Sequence, residues 1–184
     1  SLEDQLEAVW SVRPQLLSFH FGLPPSWVFE KAHSLQIPIL ISASTLSEAL
    51  VIEGSGAAAI IAQGIEAGGH RGYFDAAASL SPHDALATLD LVKEVSIHCK
   101  LPVVAAGGIM NGQAIRAAID RGACAVQMGT AFLACDESGA SIEHKRLLTE
   151  EPNRGTVFTR AFSGRYARGI CNRFTESMRD RPVL

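Results

Sequence analysis

PVVAAGGIMNGQAIRAAIDRGACAVQMGT, residues Pro102–Thr130, is the stretch on which the fold turns. The apolar run Pro102–Ala106 ends in Gly107-Gly108, a helical pattern covers Gln113–Arg121, and a second run, Ala125–Met128, ends in Gly129-Thr130. Strand, glycine turn, helix, strand and glycine turn make two consecutive βα units. Strands that are apolar throughout are expected where both faces of a parallel sheet are covered. Glycine directly after a strand lets backbone N–H groups approach an anion with no Cβ in the way. A helix starting just beyond adds the positive end of its dipole. Either turn alone would read as tight packing. Two of them after consecutive strands read as a phosphate site, of the kind that the last two loops of a (β/α)₈ barrel frequently form. The Thr130 hydroxyl adds one more donor.

The same rhythm extends upstream. Apolar positions Leu2, Leu6, Val9 and Trp10 mark a first helix, Leu16–Phe21 a strand, and Pro25–Leu35 a helix with Pro at its start. Pro38–Ser42 is the next strand, Thr45 or Ser47 caps a helix over Leu46–Glu53, and Ala57–Ala62 is a third strand. A helix is expected over His83–His98 and a short one near Ala131. Strand-then-helix repetition predicts an α/β fold, and periodicity alone leaves a barrel and a doubly wound sheet both open. As a (β/α)₈ TIM barrel, the chain supplies about the last five βα units. The other three are expected upstream of Ser1 or from another chain, since the sequence starts without Met inside what reads as a helix. From Glu143 the pattern changes to a charged helix (Glu143–Glu151), an extended run (Thr156–Ser163) and an Arg-rich tail. Residues 1–142 are therefore expected as a partial barrel carrying the site, and residues 143–184 as a truncated helical or irregular extension.

The loop leaving the third strand, Gln63-Gly64-Ile65-Glu66-Ala67-Gly68-Gly69-His70-Arg71-Gly72, holds four glycines in ten residues. Such a backbone can bend closely around a flat ligand. His70 can hold or exchange a proton near neutral pH. A lone histidine is more often a hydrogen-bonding residue, but this one shares the strand ends with the two phosphate turns. Arg71 is a candidate partner for a carboxylate or an anionic substrate, with Glu66 pairing with Arg71 or solvent. Trp10 and Trp27 read as packing residues, Cys124 as a small core residue, and His20 as either core or pocket wall. Arg165, Arg168 and Arg173 read as a solvated or interdomain basic face.

Composition narrows the partners. With 16 Lys+Arg against 19 Asp+Glu and a formal charge of −3, nothing favours nucleic acid or a membrane surface. No apolar run approaches the roughly 18 residues needed to span a bilayer. Cys99, Cys124, Cys135 and Cys171 lack the spacing of a zinc site or disulfide framework, so no metal is expected and the thiols read as reduced, in a cytoplasmic protein.

Three segments together, AQGIEAGGHRG (Ala62–Gly72), LPVVAAGGI (Leu101–Ile109) and VQMGTAFL (Val126–Leu133), resemble the nitronate monooxygenases, formerly called 2-nitropropane dioxygenases. SFHFG (Ser18–Gly22) and FSGRYARG (Phe162–Gly169) also resemble family segments. The resemblance implies a (β/α)₈ barrel with non-covalent FMN. Gln63, Gly68 and Gly69 would lie at the flavin. Gly107, Gly108, Gln127, Met128, Gly129 and Thr130 would surround its phosphate, and His70 would be the active-site histidine. The implied reaction is oxidation of an alkyl nitronate by O2 to a carbonyl compound and nitrite. The partners implied are that small substrate and O2, with a homo-oligomer or a complementing N-terminal barrel segment completing the site. Two other readings share these residues. One is an FMN-dependent NAD(P)H reductase on the same scaffold, acting on enoyl-acyl-carrier-protein or quinone. The other is a non-catalytic flavin- or phosphate-binding fragment. The family's first strand, with its Pro–Met element and glycine-rich turn, is not present in this sequence.

Overall fold

The structure, a computed structural model, describes residues 1–75, 84–150 and 154–179. Five parallel strands form one sheet: β1 (Leu17–Phe19), β2 (Ile39–Ala43), β3 (Ala59–Gln63), β5 (Val103–Ala106) and β6 (Ala125–Gln127). Their spatial order, β1-β2-β3-β5-β6, is their order along the chain. A doubly wound sheet reverses direction at a switch point, whereas successive neighbours without reversal trace an arc of a barrel wall. That ordering decides the alternative left open by periodicity. The protein is a partial (β/α) barrel.

The helices around the sheet bury apolar residues against it, and the first, third and fifth carry side-chain caps. α1 (Leu2–Val12) precedes β1, with Ser1 accepting from the Asp4 N–H and burying Leu6 and Trp10. α2 (Ser26–Ser34) links β1 to β2, and α3 (Leu46–Glu53) links β2 to β3. Thr45 is the cap of α3, accepting from the Glu48 N–H at 3.1 Å. α4 (Thr88–His98) joins β3 to β5, and α5 (Gly112–Asp120) joins β5 to β6, capped by Asn111. The strands alternate faces. Ile39, Ile41, Ile60, Ala62, Val103 and Ala105 meet Val28, Ile52, Leu91, Val92 and Val95 in the main core between sheet and helices. Ile61, Val104 and Ala106 form a second, smaller cluster with Leu40 on the opposite face. Trp10 is buried and Trp27 packs against the main core, as expected.

Several boundaries move, each for a local reason. β1 stops at Phe19 because Phe21 (φ 70°) and Gly22 (φ 109°) turn the chain into left-handed backbone. The helix expected from His83 begins at Thr88, and residue 83 itself lies outside the described set. Cys124 is exposed rather than core, at the start of β6, which has no partner strand on its outer side among the described residues.

Residues 143–184 were expected to be helical or irregular, yet they hold an antiparallel hairpin. α6 (Ile142–Glu150) leads to β7 (Thr156–Thr159) and β8 (Ala167–Ile170), and α7 (Arg173–Ser177) follows. β8 also pairs with a two-residue strand, β4 (Gly69–His70), through Gly69↔Arg168 and His70↔Ala167. The tail is thereby stitched to the glycine-rich loop.

Candidate active site

The C-terminal ends of β3, β5 and β6 come together at one cleft of about 120 Å³, lined among others by Gln63, Gly68, Gly107, Gly108 and Gln127–Thr130. Adjacent residues of two parallel neighbours explain the convergence: Gln63 is in register with Ala106, and Ala106 with Gln127. Gly69 lies outside this lining and belongs to an adjoining cavity of about 510 Å³, shared through Gly68, Gly108, Met110 and Thr130 and reaching Leu133, Leu148 and Arg168. His70 lines neither cavity, but it follows Gly69 in the chain and its carbonyl accepts from Gln63 of the cleft.

Backbone geometry shows why glycine is needed here. Gly107 (φ 119°) and Gly108 (φ 66°) occupy left-handed backbone, and a Cβ on them would sit 2.8 Å from Thr88 Oγ1 and from Glu66 Cβ respectively. Across the cleft, a Cβ on Gly68 would come within 2.6 Å of Thr130 Oγ1, whereas Gly129 faces open space. The cradle is thus narrow at Gly68 and Thr130 and open at Gly129. Small residues and a hydroxyl at strand ends leave backbone N–H groups open to an anion such as a phosphate.

The loop between β3 and β4 is held by its own side chains. Gln63 Nε2 donates to the His70 carbonyl at 3.0 Å, and Gln63 Oε1 accepts from the Gly72 N–H at 2.9 Å and the Ser44 hydroxyl at 3.3 Å. His70 Nε2 lies 2.6 Å from Ser163 Oγ on the segment between β7 and β8. His20, an exposed residue and so not core, donates from Nε2 to the His70 carbonyl at 3.3 Å. Its imidazole is pushed below its ordinary value, first by burial, with His70, Arg71 and Arg165 adding positive charge nearby. Phe21 stands edge-on to both rings, 4.4 Å from His20 and 6.0 Å from His70.

Four charged residues have different work from that expected. Arg71 is buried and meets the carbonyls of Gly64 and Gln63 instead of a carboxylate. Glu66 accepts from both the N–H and the hydroxyl of Thr88, at 2.8 and 2.7 Å, and so caps α4. Arg165 and Arg168 turn inward rather than forming a solvated face. Arg165 donates to the Tyr73 carbonyl and lies 4.6 Å over Phe21, and Arg168 donates twice to the Ile65 carbonyl. Ser163 and Thr88 were not identifiable beforehand: isolated hydroxyl residues carry no spacing signal, and their partners lie 93 and 22 residues away.

Fold and site define a class: a (β/α) barrel whose strand ends carry paired glycine turns beside a histidine. The family model "Nitronate monooxygenase" matches residues 2–183, and the chain belongs to that family. It is 48% identical over 163 residues to a nitronate monooxygenase of Paraburkholderia phytofirmans, a match covering 89% of this chain and 44% of the relative. A nitroalkane oxidase from Streptomyces ansochromogenes superposes with a TM-score of 0.91 at 42% identity, covering 96% of this chain and 51% of that one. FabK from Thermotoga maritima superposes at 0.81 and 31% identity, over 97% of this chain and 53% of its own. The chain thus spans about half the length of these relatives.

Proposed function

We propose that this chain forms the phosphate-cradling and histidine-bearing part of an FMN-dependent enzyme that oxidises alkyl nitronates. The observation that carries this reading is the cleft formed by Gly68, Gly107, Gly108, Gly129 and Thr130, with His70 tied to the cleft residue Gln63 through its carbonyl and to Ser163 through its ring. Gly107, Gly108, Gly129 and Thr130 would hold the FMN phosphate, while Gly68 and Gly69 border the path toward the flavin. Gln63 lines the same cleft, but its amide is engaged in positioning the loop. FMN, when bound, supplies the electron chemistry, taking electrons from the nitronate and passing them to O2.

The chain's own residues supply placement and charge. An imidazolium at His70 offsets the negative charge of a nitronate, and a neutral imidazole can take a proton from the α-carbon of a nitroalkane. Ser163, at 2.6 Å from Nε2, fixes which way the ring faces. Phe21 closes the side next to the two histidines. The small partners are the nitronate and O2, and a second copy or a preceding barrel segment would complete the wall. No helix among the described residues is long and apolar enough to cross a membrane. A reducing cytoplasmic setting suits four cysteines that are all free thiols.

The test is a visible spectrum of the chain with FMN, before and after anaerobic addition of propionate 3-nitronate. Bleaching that reverses with O2 and releases nitrite is the expected result. His70→Ala should retain the bound-flavin spectrum and lose about 10²-fold or more in the rate of bleaching. Flavin that ignores nitronate but is reduced by NADH would overturn this reading in favour of a reductase, and a chain that takes up no FMN would favour the non-catalytic fragment.

A further inference from the structure

Arg71 is the largest fully withdrawn side chain among the described residues, at 1% exposure. No ion pair among the described residues involves Arg71. Its two terminal nitrogens donate to successive carbonyls, Nη1 to Gly64 and Nη2 to Gln63 at 3.0 Å, and its Nε has no partner. The guanidinium lies 5.4 Å from the centre of the Tyr73 ring, and its main-chain N–H donates to the Tyr166 carbonyl at 2.8 Å.

A buried cation without a counter-ion is unfavourable unless its donors are needed. Here the need is visible. Two successive carbonyls at the start of the glycine-rich loop face the guanidinium; that of Gly64 also accepts from the Ala67 N–H at 3.2 Å, so Arg71 adds a second donor there and ties both carbonyls to one side chain. A planar fork reaches both from two separate nitrogens in a fixed geometry, which the single nitrogen of a lysine ammonium does not impose. Gln63 completes the reciprocal half: its side chain binds the main chain of His70 and Gly72, while Arg71 binds the main chain of Gln63 and Gly64. The two ends of the loop are therefore clasped by two side chains: Arg71 holds the backbone of Gln63 and Gly64, and Gln63 holds the backbone on either side of Arg71.

We infer that Arg71 is a positioning residue for His70: it fixes the Gln63–Gly64 backbone, and Gln63 transmits that geometry to the His70 main chain. The inference takes the functional importance of His70 from the proposed nitronate oxidation, while the coupling itself is independent of any ligand. It is tested on the full chain without flavin, by amide hydrogen exchange together with the ring ¹⁵N resonances of His70. In Arg71→Lys the Gly72 amide should exchange about tenfold or more faster and the His70 ring resonances should move. The amides of Ile60 and Val104, inside the sheet, should keep their protection. Gln63→Met, with Arg71 intact, should move the same ring resonances. An unmoved His70 ring in either variant overturns the inference. So does loss of protection at Ile60 and Val104 in Arg71→Lys, which would make Arg71 a support of the sheet at large. Because no flavin or nitronate enters this measurement, failure of the nitronate reaction would leave its result standing.

Discussion

His70 is gripped at two points of different origin: its carbonyl by Gln63, seven residues back, and its ring by Ser163, 93 residues on. The second grip is a single hydroxyl contact and should be removable without disturbing the fold. Ser163→Ala is expected to leave the melting temperature nearly unchanged and lower kcat/KM for nitronate by roughly fivefold, the equivalent of about 1 kcal/mol. An unchanged steady-state rate would show that the ring is oriented by other contacts. His20 gives a pH prediction. Burial lowers its imidazole below the ordinary 6.5, so the folded chain resists a proton that the unfolded chain accepts. Stability from this group is complete above about pH 6.5 and falls as the solution is acidified through and below that value. Melting curves between pH 8 and pH 5 should therefore show a shallower acid decline for His20→Gln than for the parent, and parallel curves would refute the assignment.

Two glycines separate the demands of packing from those of the cleft at the level of elements. A Cβ on Gly64, at the exit of β3, would lie 2.0–2.3 Å from Thr88 Oγ1, Cα and N, the first residue of α4. Backbone atoms cannot yield, so Gly64→Ala should cost at least about 3 kcal/mol and depress the denaturation midpoint sharply. Gly129, before the 3₁₀ turn Thr130–Phe132, has an ordinary φ of −114° and nothing within 4 Å. Gly129→Ala should leave stability within about 0.5 kcal/mol while weakening FMN uptake, because the new methyl enters the cradle. Equal effects of the two substitutions on stability would contradict this division. The cap at Thr45 was one of two candidates, with Ser47, that residue type and position offered in advance; the cap at Asn111 came from the structure. The cap on α4 was not legible in advance, since its carboxylate, Glu66, comes from the neighbouring loop.

Across the whole molecule, the accessible surface is 10868 Å², against about 8,600 Å² for a compact monomer of this mass. An arc of five strands accounts for the excess: the outer sides of β1 and β6 have no partner strand among the described residues, and the strand ends open into a cleft. Such a surface has more to gain from a ligand that bridges β3, β5 and β6. With FMN at about a hundred times its dissociation constant, the chain should be stabilised by about 2.7 kcal/mol, raising Tm by roughly 5–10 °C. A thermal scan that does not move with FMN would remove the cofactor assignment from this chain.

The sequence by itself determined the repeating βα units, the apolar strands, a cap for the third helix at Thr45 or Ser47, and the presence of glycine turns and His70 at strand ends. These follow from local rules: apolar period, cap chemistry and glycine after a strand. They survive because each helix and strand is internally hydrogen-bonded. Only the tertiary structure decided that strand order runs without reversal, and that β8 pairs with Gly69–His70, a dipeptide with no strand signal. It alone buried Arg71 against two carbonyls, turned Arg165 and Arg168 inward and exposed Cys124. A charged or polar side chain takes its role from whichever donor or acceptor the fold brings within about 3 Å, and sequence spacing carries no record of partners that lie tens of residues apart.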